Sequence, residues 1–492
     1  MGALRELGRK VRTALGGSPA PSACSQCERL TKENQALREE NEGLRRTNQT
    51  QQEELVRLRQ LAQEAQRRAK RQAAPFSKGE PKKKPSRPGR RPGKRYGRRA
   101  RRRAPDHVDE TYAVALPPCC PYCAGRVAHE KTVNQYQEEI PKVKTIVRLF
   151  QIDLGKCEDC HRPVRGRHPL QTSDAVGAAG VTVGPSALAL AASLNKSYGL
   201  SLGKVRGVLG STFGLSISRG GISQANDRVA KALEPTQVCL VEHVRNSPVA
   251  AADETGWKVG GLLHWLWGFT TPQVTVYQIT KGRGYEEACQ VLGEDFCGTL
   301  VRDGWAPYRS FQQATHQTCI GGHLMRRCHE LLLTAQRGAA RLPHALLRLF
   351  HRALQLRDHW VEHPPTERGR LIHAGMIRAE MDRLLSWSPT DEENRKLLKH
   401  LRKERDALFT FLYDPSVPAS NWWGEQAMRP AVVTRKVWGG NRTEHGAHTQ
   451  AILASFFRSS HQQGVDPGPM IELVLCSSVP LLAPLPCFAS GP

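Results

Sequence analysis

Val249-Ala-Ala-Ala-Asp253 is a short apolar run that ends on a carboxylate, and Gly298-Thr-Leu-Val-Arg-Asp303 repeats the pattern further on. Both read as strands with an acid at the exit. Between them, Leu262 to Phe269 and Val274 to Thr280 alternate as two more strands, and Tyr285 to Leu292 has helical spacing. His316 to Ile320 reads as a fifth strand. The remainder is rich in helical patterns.

Strand, strand, strand, helix, strand and then helices is the order of a ribonuclease-H-like α/β sheet. In such a sheet the first and fourth strands lie side by side, so Asp253 and Asp303 are expected to meet at one edge. Two carboxylates so placed suit hard divalent cations such as Mg²⁺ or Mn²⁺, which take oxygen ligands. Two ions about 3.5–4 Å apart serve both the attacking and the leaving oxygen of a phosphoryl transfer. A third acid is needed from a later helix. Residues 324–415 read as an inserted helical region, with Thr390 and Glu393 as a capping box before Leu397, Leu401 and Leu408. Beyond it stands Asn421-Trp-Trp-Gly-Glu425-Gln-Ala-Met-Arg429-Pro430. Glu425 and Arg429 share a helical face, and Pro430 is expected to stop or kink that helix. Any one of these acids alone is more often a surface residue; three that fit one fold are not. Glu254 falls on the opposite strand face from Asp253, so its removal is expected to be mild.

Working outward, the rest of the chain is basic. Lys and Arg number 72 against 46 acids, a formal net charge of +26, which favours a polyanionic partner such as nucleic acid. Much of the excess sits in residues 67–104. From Arg67 to Arg103 there are eighteen Lys or Arg and the single acid Glu80. With its Pro and Gly content this reads as a flexible arm for phosphate contacts. Before it, residues 1–66 hold Leu30, Leu37, Leu44 and Leu58 on a seven-residue repeat. The alternate seam carries Asn34, Asn41 and Asn48, giving a coiled coil of modest strength through which copies associate. Cys24-x-x-Cys27 is read as incidental.

Residues 105–168 hold two CxxC pairs. Cys120-Pro-Tyr-Cys123 and Cys157-Glu-Asp-Cys160 are separated by 33 residues in which Val143, Thr145, Val147 and Leu149 alternate as a strand. Four thiolates suit tetrahedral Zn²⁺, with the intervening hairpin bringing the pairs together as a zinc-ribbon-like domain. Cys119, His161 and His168 are alternates. Residues 169–240 are helical and compatible with a helix-turn-helix: a first helix from Leu200, a turn at Phe213-Gly-Leu, and a second helix from Ser216 to Ala232. The 14 cysteines, without a secretion signal, fit metal sites or core thiols rather than disulfides, and no apolar run reaches membrane length.

These residues together resemble the insertion-sequence-66-type transposases of bacteria, members of the DDE transposase class. The resemblance runs from the zipper to about Gln463. It rests on the basic Pro-Gly-Arg-Arg-Pro-Gly stretch from Pro88, the CxxC pairs, Asp253-Glu-Thr-Gly-Trp257 and Arg302-Asp303-Gly-Trp-Ala-Pro-Tyr308. Cys319 with His323, Leu324, Arg326 and Arg327 belongs to it too, as do Glu425, Met428-Arg429-Pro430 and Arg435-Lys436. The last motif departs from the family at Trp422 and Gln426, where Asn and Arg are usual, and Gly321-Gly322 lengthens the Cys-to-His step.

The resemblance implies an Asp253, Asp303 and Glu425 triad in a catalytic domain spanning 241–465, a zinc finger before it, and a helical insertion between the second and third acids. Arg326, Arg327, Arg429, Arg435 and Lys436 would grip substrate phosphates. Cys319 and His323 are read as core packing rather than a metal pair. The implied activity is cleavage and strand transfer at the terminal inverted repeats of a mobile element into target DNA, with or without accessory proteins the element encodes. The expected place is the bacterial cytoplasm, at the nucleoid. Residues 466–492 form an atypical tail. The competing expectations are a non-catalytic DNA-binding relic or regulator of such an element, and a plain metal-dependent nuclease.

Overall fold

The computed structural model describes residues 25–68, 102–141 and 143–489 of the chain. It divides into two units, Met1–Arg71 and Gln72–Pro492. In the first, the described residues form one helix, α1 (Ser25–Arg68). Leu30, Leu37, Leu44 and Leu58 all stay at least half exposed along it, so the heptad stripe is present and unburied. Cys24 and residues 69–101 of the basic arm lie outside the described residues.

The first described residues of the second unit, 102–141 and 143–168, have little regular secondary structure. Among these described residues the only strands are β1 (Leu154–Lys156) and β2 (Pro163–Arg165), an antiparallel pair with Leu154 opposite Arg165. Residues 143–149, expected as a strand, have no regular secondary structure. Alternation makes a strand only where one face meets a core and the backbone meets a partner. Here Val147 is 93% exposed. Helical structure then takes over. Helix α2 (Pro185–Ala192) runs into a π turn (Ser193–Ser197), followed by α3 (Leu202–Phe213), α4 (Arg219–Ala232) and α5 (Glu234–Arg245). The turn after α3 is where the sequence places it. Gly214, at φ 68°, ends the helix, with Leu215 N donating to Leu209 O. Ser218 then caps α4 by accepting from Gly221 N.

The sheet has five strands in the order β5-β4-β3-β6-β7. They are β3 (Val249–Val259), β4 (Leu262–Thr270), β5 (Thr275–Thr280), β6 (Thr299–Arg302) and β7 (Thr315–Thr318). The first three form an antiparallel meander turned at Gly260-Gly261, both at positive φ. Helix α6 (Tyr285–Leu292) follows β5, and β6 then docks parallel to β3, with β7 parallel to β6. This is the mixed sheet the sequence predicts, with the first and fourth strands adjacent.

The two faces of β3 bury different things. Ala250 and Ala252 join a core with Trp267, Phe269, Val229, Leu233 and Leu240. Val249 and Ala251 join the insertion instead, and further along the strand Trp257 and Val259 pack on Met428 and Ala431. The insertion is helical throughout: α7 (Met325–Thr334), α8 (Arg341–Glu362), α9 (Glu367–Leu385), α10 (Glu392–Lys403) and the short α11 (Thr410–Tyr413). Asp391, not Thr390, caps α10, accepting from Asn394 N. The insertion is stitched to β7, where Gln317 donates to Leu408 O and accepts from Phe411 N. After it come α12 (Trp422–Trp438) and α13 (Glu444–Gln462). Helix α12 continues through Pro430 rather than ending there. On the far side, Ser459 and Ser455 of α13 accept from the N–H groups of Thr275 and Tyr277 on β5. The tail is part of the fold: α14 (Pro467–Cys476) places Ile471 in the main core, where Ala483 and Leu485 follow. Among the described residues no helix is long and apolar enough to cross a membrane.

Candidate active site

Parallel pairing of β3 with β6 runs from Val249 opposite Thr299 to Ala251 opposite Val301. Two residues further along each chain, Asp253 and Asp303 stand level. Asp253 does not end its strand, as expected; β3 continues to Val259 against β4. It stands where the parallel neighbour stops and leaves a gap in the sheet. Alternation puts Asp253 on the face of Val249 and Ala251, toward the insertion and α12. Glu425 lies in the first turn of α12, where the helix dipole favours an acid. The start of α12 is pinned beside Asp253, because Asn421 Nδ2 donates to Ala252 O at 3.0 Å. The glycine pair that lengthens the Cys-to-His step falls in a π turn (Ile320–Leu324). A Cβ at Gly322 would stand 3.3 Å from Glu425 Oε1, so the bare glycine leaves that carboxylate its room.

Neighbouring acids act electrically on Asp253. Burial first, then the charges of Glu254 and Asp303 and, less strongly, Glu425 push Asp253 up to about 7. Glu254 N donates to Asp253 Oδ1 at 2.9 Å and opposes this in part. Asp303 is held by Trp305 N, which donates to Oδ1 at 2.8 Å. Among the described residues no three His, Cys, Asp or Glu side chains converge closely enough to hold a metal ion. The donor set, all carboxylate oxygens around a partly desolvated Asp, fits a hard divalent ion.

Glu254 does lie on the opposite face, but it is not idle. Its side chain is 1% exposed, and Oε1 accepts from Arg283 Nη2 at 2.6 Å and Nε at 3.0 Å. Its other oxygen accepts from the Tyr308 hydroxyl. Arg283 in turn lies 4.4 Å from the ring centre of Trp265 and 4.0 Å from that of Trp305. The residue after one acid is therefore wired to the residue that fixes the other. This burial gives Glu254 a structural part on that opposite face, separate from the expectation that its loss affects cleavage less than loss of Asp253. Nothing in the spacing of Arg283 or Tyr308 marks them; only the long-range fold brings them to Glu254.

The basic residues divide. Arg326 and Arg327 line a cleft of about 540 Å³ with Asp303, Gly304, Trp305, His323 and His400. Arg429 is exposed on α12, and Lys436 lies on an exposed face of its last turns. Arg435 faces inward, donating to Thr255 Oγ1 at 3.1 Å and to the carbonyl of Gly256. Cys319 is buried while His323 is exposed at the cleft.

The two cysteine pairs share one local form. Ala124 N donates to Cys120 O and His161 N to Cys157 O, and both Ala124 and His161 take positive φ. Backbone N–H groups from Tyr122 and Cys123 lower the Cys120 thiol, and those of Cys160 and Asp159 lower Cys157. Each knuckle is shaped for a thiolate; the two knuckles are not gathered into one cluster.

Residues 180–449 match the family described as "Transposase IS66 family". The chain is also similar to the uncharacterized protein y4qI of Sinorhizobium fredii (strain NBRC 101917 / NGR234), 24% identical over 285 residues. That match covers 52% of this chain and 52% of the relative, so the chain spans about half the length of the curated protein it matches. The family match covers more than half of the chain and takes in Asp253, Asp303, the insertion and the whole of α12 with Glu425: the chain belongs to the transposase IS66 family.

Proposed function

We propose that the protein is a DDE transposase that binds the ends of its element and catalyses cleavage and strand transfer of DNA with Asp253, Asp303 and Glu425. The observation that carries this is the shared charge at the sheet gap, where burial and three neighbouring acids lift Asp253 to about 7. Carboxylates shifted this way by burial and neighbouring acids cluster at functional sites. Mg²⁺ or Mn²⁺ held by these acids would supply positive charge and Lewis acidity at the reacting phosphate. The chain's own part is to hold the phosphate against them. Arg326 and Arg327 flank Asp303 in the cleft and would grip the DNA backbone, with Arg429 and Lys436 reaching it from α12. Arg435 would instead brace α12 against β3. In the first step a water oxygen forms a bond to phosphorus and the bond to a 3′-oxygen breaks, freeing a 3′-hydroxyl. In the second, that hydroxyl forms the new bond to a target phosphate and displaces the target's own 3′-oxygen.

The same reading assigns Cys120, Cys123, Cys157 and Cys160 to a structural Zn²⁺, α1 to a coiled coil between copies, and the basic arm to sequence-independent DNA contacts. The test is purified protein with labelled element ends and a target duplex, with and without Mg²⁺. Joined products are expected. Each of Asp253→Ala, Asp303→Ala and Glu425→Ala should abolish them while the gel shift persists. Cut but unjoined ends would identify a plain nuclease, and a shift without cutting a DNA-binding relic.

A further inference from the structure

Asp303 sits between two arginines, and both are tied to the same residue of the insertion. Arg302, the last residue of β6, is 2% exposed, and its Nη1 lies 2.8 Å from Glu404 Oε2. Arg309 Nη1 donates to Glu404 Oε1 at 2.8 Å. Glu404 itself is fully buried, immediately after α10. Each arginine then uses the same Nη1 on the loop that carries the acid: Arg302 donates to Asp303 O at 2.9 Å and Arg309 to Gly304 O at 3.3 Å. The back of Arg302 is fixed too. Its Nε donates to His316 Nδ1 at 3.3 Å, and His316 Nε2 lies 3.0 Å from Phe311 O. That arrangement needs the neutral ring with its proton on Nε2. Burial, then the Arg302 charge, hold the ring in this form by lowering its pKa. One turn before Glu404 on α10, His400 closes the loop from outside: a Cβ on Gly304 would fall 2.7 Å from His400 Cε1.

A buried Arg–Glu–Arg triad is a poor device for stability alone, since apolar residues of the same volume commonly do as well. What this triad does that apolar packing would not is fix the direction of two guanidinium groups bonded to the Asp303 and Gly304 carbonyls. We propose that Glu404 is a positioning residue of the reaction: through Arg302 and Arg309 it sets the backbone from which the Asp303 carboxylate reaches the cation. The helical insertion thereby becomes part of the active site, although it supplies none of the three acids. The inference rests on the metal-dependent reading of Asp253, Asp303 and Glu425.

The test uses the full chain and titrates Mn²⁺ in the cleavage assay for the wild type, Glu404→Gln and Arg309→Lys, with circular dichroism and a gel shift on each. Glu404→Gln keeps the shape and removes the charge. It should raise the Mn²⁺ concentration for half-maximal cleavage at least tenfold and lower kcat at least tenfold, with KM for DNA unchanged. Arg309→Lys keeps one of two bonds and should show the same change at about a third of the size. A residue that merely glues the insertion to the sheet would lower the melting temperature and leave the Mn²⁺ dependence alone, and that result overturns the proposal. If Glu404→Gln does not fold, Arg309→Lys decides: a wild-type Mn²⁺ curve refutes. A wild type that cuts at no Mn²⁺ concentration removes the catalytic reading itself, and the inference with it.

Discussion

Replacing Asp253 by Asn takes a charge, and almost no volume, out of a place where charge is costly. The backbone bond survives, because an amide oxygen still accepts from Glu254 N. In the wild type the folded carboxyl ionises near 7 against an ordinary 3.8. The native state therefore binds more protons than the unfolded chain between those values, and its stability falls as pH rises through that window. Full expression of this difference is at most about 4 kcal/mol. Partial solvent access to the carboxyl brings it to about 2–3 kcal/mol. Asp253→Asn should thus match the wild type near pH 4 and exceed it above pH 7 in chelator. At about 2–4 °C per kcal/mol for a domain of this size, the gain is roughly 4–12 °C in melting temperature. Saturating Mn²⁺ should close the gap, since an ion at a hundred times its Kd returns about 2.7 kcal/mol to the wild type alone. Differential scanning fluorimetry from pH 4 to 8, with chelator and with Mn²⁺, reads all of this. An Asn variant that melts at or below the wild type at pH 8 in chelator would refute the argument that Asp253 carries stored charge.

Glu254→Ala should cost about 3–5 kcal/mol in a urea titration, because it strands the half-buried Arg283 and the Tyr308 hydroxyl; a wild-type midpoint would show that the pair is not holding the sheet. Cys157→Ser should cut bound zinc from about one per chain to none and raise proteolysis within residues 106–168, whereas wild-type protein that folds without zinc would dismiss the site.

The sheet was readable because its signals are local. Alternating apolar runs, turn glycines and the helix after β5 each lie within a few residues, and the strand order then sets Asp253 and Asp303 level on neighbouring strands. What sequence could not show is whatever depends on the other side of the fold. Glu254 and Glu404 look like ordinary acids beside a strand and after a helix, and only tertiary packing reveals them as buried ion-pair partners. The same cause works in reverse at residues 143–149, where the alternation is real but nothing packs on it. Pro430 failed as a stop signal because α12 lies between β3 and β4 on one side and is fixed at its start by Asn421. That packing carries the helix past one missing backbone bond.

The two outer strands have an architectural consequence. An open edge is an invitation to another chain, which can add a strand by main-chain pairing. Here Ser455 and Ser459, one helical turn apart, accept from alternate backbone N–H groups of β5, while at β7 the Thr410 hydroxyl donates to His316 O and the Gln317 side chain bonds the insertion backbone at Leu408 O and Phe411 N. Both borders of the sheet are thereby engaged by other elements of the same chain, and a strand from another chain would have to displace those contacts before it could extend the sheet.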